Sequence, residues 1–328
     1  GMLYFTLMSH EFAAASMVLY GLDPGLAAVL PVTALAASLN KVAGSFFQSR
    51  RRYGLSLFLN QIHNWIVLFS VPVVVAFERP DALPAALTIT AGYCVMAAAG
   101  WWRAMREHAH DAAPVSPQTL MREGFAAMGT QVAIGLFFQL DRLIIPRTLS
   151  IADLATYSVV SAIVASPFRM LQVGASFTLL PGLRAAASRA GVFRLLKREA
   201  AAVLGIAIVS AVAVILVTPW IGTHLLNDQY PFAASLLYAM VIVGFVRVWA
   251  GFAYAAVSAL GSGSQLSQYN LWSWVALGVA IAGAVAASGQ GLTGIVYGLG
   301  AGWLFLAVAA TLIASRAIAA WRPSPAPR

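Results

Sequence analysis

Four of the chain's 20 cations, Lys41, Arg142, Arg169 and Arg247, fall inside long apolar runs rather than between them. A cation at the centre of a membrane helix costs roughly 2.5 to 3.5 kcal/mol on insertion scales, so it faces a cavity or a partner. Arg169 and Arg247 are the deepest, each about a dozen residues or more from both ends of its run, too far to snorkel easily. Lys41 stands about six residues from one end of its run, and Asp141 and Arg142 about five from theirs; these three are close enough to reach an interface or to pair. Guanidinium groups match phosphate and pyrophosphate oxygens bidentately. An inward-facing cavity lined by Arg169, Arg247, Arg142, Lys41 and Asp141 would therefore bind an anionic headgroup.

Enzymatic chemistry finds less material. His63, in NQIHNW, has no acid within one helical turn, no HExxH or DxD motif occurs, and no long connection is available for a catalytic domain. It reads as a hydrogen-bonded histidine at a helix interface. Glu11, beside His10, is a candidate proton carrier. Cys94 is the only cysteine, which leaves no disulfide framework and no zinc site. The sequence calls for no metal or cofactor, and the chain does not read as an enzyme.

These residues sit in a chain of 328 residues, 60% hydrophobic and only 9% charged, against about 25% charged in a soluble domain. One globule in water would lack the polar surface to cover such a core, so the solvent for most of the chain is lipid. The net charge of +9 is spread thinly between apolar runs, which argues against nucleic-acid binding. Crossing the hydrocarbon takes about 20 apolar residues in a helix. Ten runs qualify: 2–21, 25–47, 55–77, 83–102, 124–146, 154–182, 200–220, 232–260, 267–288 and 292–315, the first interrupted by His10 and Glu11. They are too long for the alternating strands of a barrel. The expected fold is an all-α polytopic membrane helix bundle of about ten transmembrane helices.

Lys and Arg accumulate in cytoplasmic loops. Fourteen cations fall in alternate connections on one side of this map, from Arg50 to Arg52 through Arg184 to Arg198 to Arg328. The other side holds only Arg79 and Arg147, beside five acids. Both termini are therefore expected to be cytoplasmic. The opening shows no basic n-region or cleavage site, Gly1 ahead of Met2 reads as a cloning remnant, and the PSPAP run makes 319–328 a disordered cytoplasmic tail.

Residues 139–186 run QLDRLIIPRTLSIADLATYSVVSAIVASPFRMLQVGASFTLLPGLRAA. With Asp141, Ile144, Ile145, Asp153, Tyr157 and Pro181 in order, this stretch resembles the polysaccharide-export, or O-antigen flippase, family of the multidrug/oligosaccharidyl-lipid/polysaccharide exporter superfamily. The resemblance covers about 119–316, including the small-residue connection at 259–264. It implies two six-helix lobes, here a complete C-terminal six-helix lobe over 113–318 and a partial N-terminal lobe of about four helices over 1–112. The basic turn in LNKVAGSFFQSRRRYGLSLFLNQIHNW aligns with the one after the family's fourth helix, whereas EFAAASMV at 11–18 resembles DLATYSVV at 153–160 and would make the opening a remnant of the first two. The implied function is flipping a polyprenyl-phosphate-linked oligosaccharide across a bacterial inner membrane for surface polysaccharide assembly, with membrane lipids and a polymerase or glycosyltransferases as further partners. Two alternatives stay open: a multidrug exporter of the same superfamily, which would want an acid-lined cavity, and a truncated homologue acting only as an assembly partner.

Two punctuation marks complete the reading. LRAAASRAGVFRLLKRE at 183–199 is expected to be a solvated basic loop, and GSGSQLS at 261–267 a flexible turn without the features of a phosphate loop. Trp101, Trp102, Trp220, Trp303 and Trp321 fall mostly near span ends, where such rings anchor to headgroups; Trp249 and Trp272 read as core or lipid contacts. The charge asymmetry predicts that, in a Cys94→Ser background, an impermeant thiol reagent added to intact cells labels Asp228→Cys but not Ala190→Cys. The reverse pattern would invert the orientation.

Overall fold

The computed structural model describes residues 24–50, 82–107, 129–186, 188–224 and 233–320, with scattered positions between 52 and 66. Every regular element among them is helical, and seven helices are long and apolar enough to cross a membrane. The expected span at 2–21, with His10 and Glu11, lies outside the described residues, as does His63. The span at 55–77 is described only at isolated helical positions. The chain divides into two compact units, Gly1–Pro114 and Val115–Arg328.

In the first unit α1 (Pro24–Ser49) packs along α2 (Ala82–Arg106). The hydroxyls of Thr33 and Thr90 share a hydrogen bond of 2.5 Å, Trp101 Nε1 donates to the Leu39 carbonyl, and Gly100 sits against Ala43. The helices therefore run parallel. Lys41 is exposed on α1.

The second unit comprises α3 (129–137), α4 (Leu140–Thr148), α5 (Ile151–Arg184), α6 (Arg189–His224), α7 (Ala234–Leu260), α8 (Gly263–Ala286) and α9 (Gly291–Ala320). The expected span at 124–146 is interrupted by a turn at 138–139, after which α4 starts afresh. Two helix starts are set by capping boxes, in which side chains satisfy the free N–H groups of the first turn. Ser150 and Asp153 cap α5, so Asp153 has a structural role. Ser262 and Gln265 cap α8, and GSGSQLS is thus mostly helix, not a flexible turn. The basic loop expected at 183–199 is also corrected: α5 runs to Arg184 and α6 begins at Arg189, because the sequence between Arg189 and Glu199 places apolar Val192, Leu195 and Leu196 on one helical face. At the other end α9 extends to Ala320. Residues 319 and 320 belong to it, since alanine favours helix and the first proline comes at Pro323; 321–328 lie outside the described residues.

Contacts fix the directions. Ser235 meets Thr293, Gly300 sits against Val243, and Trp249 Nε1 donates to Thr311 at 3.1 Å, so α7 and α9 run parallel. Gly244 sits against Phe168 and the Arg184 guanidinium donates to the Ser258 carbonyl, which makes α5 parallel to α7. Packed antiparallel, α8 and α9 meet along a stripe of small residues. A Cβ at Gly298 would collide with the backbone of Gly283 and Ala284, and one at Gly302 with Ala280 and the Ala276 carbonyl. Gly294, Gly298 and Gly302 form a small-xxx-small repeat, the pattern that lets helix backbones approach closely in lipid. Trp303, expected near a span end, is instead fully buried at 1% exposure, packed on Phe137 and Phe138.

Gly302→Leu is expected to destabilise by about 1 to 3 kcal/mol through overpacking. Gly278→Ala, whose Cβ meets nothing within 4 Å, should be neutral or slightly stabilising, because alanine outranks glycine inside a helix. Thermal unfolding of the detergent-solubilised chain checks this; equal melting of the two variants would count against the glycine-stripe contact.

Candidate functional site

Arg247 stands at the midpoint of α7, 13 residues from either end. Arg169 stands at a comparable depth in α5. The two parallel helices approach closely because Gly244 and Gly251 leave room, respectively, for the Phe168 ring and the Gln172 side chain. That approach brings both guanidinium groups to one pocket, bounded also by Phe138, Tyr157, Ser161 and α9. Space for the centre of a water molecule amounts to about 20 Å³, above the roughly 10–15 Å³ that one water needs.

The two cations differ in their surroundings. Arg169 is exposed along one side, with its guanidinium 5.7 Å from the Phe138 ring centre. Arg247 lies deeper, 5.8 Å from the same ring and 5.3 Å from Trp303, and its buried Nε has no hydrogen-bond partner among the described residues. No carboxylate among the described residues comes within ion-pairing distance of either arginine. At 5.3 to 5.8 Å these cation–π contacts stand near the roughly 6 Å limit of the interaction, and they supply no hydrogen bond to the buried Arg247 Nε. The arrangement is a small cationic pocket at mid-helix, in which the Arg247 Nε is left without a partner among the described residues.

Asp141 stands one step behind. Its carboxylate accepts from the Tyr157 hydroxyl at 2.7 Å and from the Arg142 backbone N–H at 2.8 Å. The turn at 138–139 explains the second bond: a new helix start exposes unsatisfied N–H groups, where an acid is stabilised. Asp141 is buried and does not line the pocket; it positions Tyr157, which does. Arg142 points outward, exposed and away from the pocket. Of the five residues read from sequence, the structure thus brings together Arg169 and Arg247, places Asp141 behind the pocket on Tyr157, and turns Arg142 away from it; Lys41 belongs to the first unit.

Ser161, Gln172 and Phe138 went unread in the sequence, and Tyr157 was noted only as part of a pattern. A signal was present: Tyr157, Ser161, Arg169 and Gln172 recur at helical spacing in an apolar span, one polar stripe on one face. No protein-family model, curated protein or solved structure matches the chain.

Tyr157→Phe removes one of the two donors to a buried carboxylate and should destabilise by about 1.5 to 3 kcal/mol. Adding Asp141→Asn should recover much of that loss, since the group left without its donor is then uncharged. Unfolding of the single and double variants reads the coupling, and strictly additive effects would remove Asp141 as the positioning residue.

Proposed function

We propose that the chain is a multi-pass transporter of about ten spans in two lobes, with both termini cytoplasmic, that flips a polyprenyl-phosphate-linked oligosaccharide across a bacterial inner membrane. It stands with the polysaccharide-export flippases on the residues of 139–186. The observation that carries the reading is the pair Arg169 and Arg247, lining one pocket at mid-helix without a carboxylate in ion-pairing range among the described residues. A phosphate or pyrophosphate headgroup offers the oxygens that two guanidinium groups match. A pocket whose charged lining is two arginines suits an anion, not the cationic drugs of a multidrug exporter. Half-exposed Ser161 and Gln172 supply polar contacts beside the charge, while the polyprenyl tail stays in lipid.

Arg169→Gln and Arg247→Gln should insert and accumulate near normally, because removing an unpaired cation lowers the desolvation cost. Each lost charge-assisted contact is expected to weaken headgroup binding roughly 10- to 100-fold, with partial rescue by lysine, which keeps the charge but not the fork. Surface polysaccharide normalised to membrane-resident protein, in cells lacking their own copy, is the readout. Wild-type export from the double glutamine variant would refute the proposal, and loss of the protein itself would make the arginines structural.

A further inference from the structure

At 36 residues, α6 extends about 54 Å at the helical rise, against a hydrocarbon core of about 30 Å. Its stretch from Ala200 to Thr223 carries no charge and is long enough to span. Residues Arg189 to Glu199 therefore rise about 16 Å further, through the headgroup layer at the end of the unit where α5 and α9 also finish. One face of this extension is fixed to the protein. Val192 is fully buried, Leu195 and Leu196 pack against the core, and Leu195 covers Gly182 at the end of α5.

The opposite face is cationic except at Ala190 and Phe193. Its exposed residues are Arg189, Ala190, Phe193, Arg194, Lys197 and Arg198, and Arg184 is exposed just before the turn. Glu199 is the one acid of the extension and bonds Arg198 at 2.8 Å. The other cations stand in the opening turns of a helix, whose N-terminal end is itself positive, and no acid occupies its first turn. They therefore repel both the helix dipole and one another, an arrangement that an anionic surface relieves. Phe193, 54% exposed among them, adds an apolar side chain to the cationic face. A bias for positive charge in the connection would be met by any basic loop. It does not require a helix packed on one side and cationic on the other.

We propose that Arg184, Arg189, Phe193, Arg194 and Lys197 form a docking face for anionic phospholipid headgroups of the adjoining leaflet, holding the α5–α6 turn to the membrane surface. The inference needs the chain to span a membrane; it does not need the transport reading.

The test uses the full chain in detergent with added phosphatidylglycerol or phosphatidylcholine, read as lipid retention by native mass spectrometry and as a melting shift. Phosphatidylglycerol should be retained roughly tenfold more tightly, with the preference collapsing in about 0.5 M salt, where the screening length falls well below 10 Å. Combined Arg189→Gln, Arg194→Gln and Lys197→Gln should abolish the preference without lowering melting in neutral lipid, and Phe193→Ala should weaken it. Should the triple variant fail to fold, the salt dependence of the unmodified chain decides. Equal retention of the two lipids, or a preference untouched by the triple variant, overturns the proposal. So does stabilisation by heparin with none by phosphatidylglycerol, which would assign the face to a soluble polyanion.

Discussion

Two like charges held side by side at the middle depth of an apolar bundle set the terms for the second unit. Each costs roughly 2.5 to 3.5 kcal/mol to insert, which together is a large fraction of the 5 to 15 kcal/mol by which folded proteins are usually stable. Aromatic faces return only part of it: Phe138 is shared by both guanidinium groups, and Trp303 serves Arg247 alone. Apolar residues of similar volume would pack there with less penalty. The pair is thus expensive as structure, and that expense is the physical ground for reading it as function.

Meeting the constraint draws in elements far apart in sequence. Gly244 and Gly251 let α5 and α7 close to a distance at which any larger residue would meet Phe168 or Gln172. On the other side of α7, the glycine stripe of α9 presses that helix against α8, and Gly300 brings it onto Val243. The break at 138–139 puts the Phe138 ring beside the cations and, two residues on, opens a helix start that steadies Asp141. Asp141 in turn holds the Tyr157 hydroxyl. One counter-charge is therefore present near the arginines, but its oxygens are committed to Tyr157 and a backbone N–H.

How much of this was legible depends on the kind of signal. Long apolar runs announced the seven described spanning helices, because hydrocarbon thickness imposes a length that few other folds need. Their ends were less legible: the boxes Ser150-x-x-Asp153 and Ser262-x-x-Gln265 stand in the sequence, but a search for apolar length overlooks caps that sit outside the run. Depth within a run singled out Arg169 and Arg247, which the structure places at one pocket. Depth also set Arg142 apart, about five residues from its run's end, but its outward direction follows from the restart at Leu140, and that restart has no proline or glycine to mark it. Trp303 misled because it was grouped by residue type with the rings of span ends, although it stands mid-run in 292–315, and its burial goes with the α8–α9 contact around Gly302.

The close crossing of α5 and α7 also limits how the site can respond to a ligand. The Phe168 ring and the Gln172 side chain already fill the room left by Gly244 and Gly251, and packed interfaces shift between discrete arrangements more readily than they deform. An anion between Arg169 and Arg247 would remove their mutual repulsion without requiring the helices to part. Its binding energy would then be available to favour whichever arrangement of the surrounding helices encloses it best, since a ligand shifts an equilibrium only by its differential affinity for the two states. On the proposed reading, exposed Arg169 would meet an entering anion first, and half-buried Arg247 would gain its counter-charge only once the anion is fully inside.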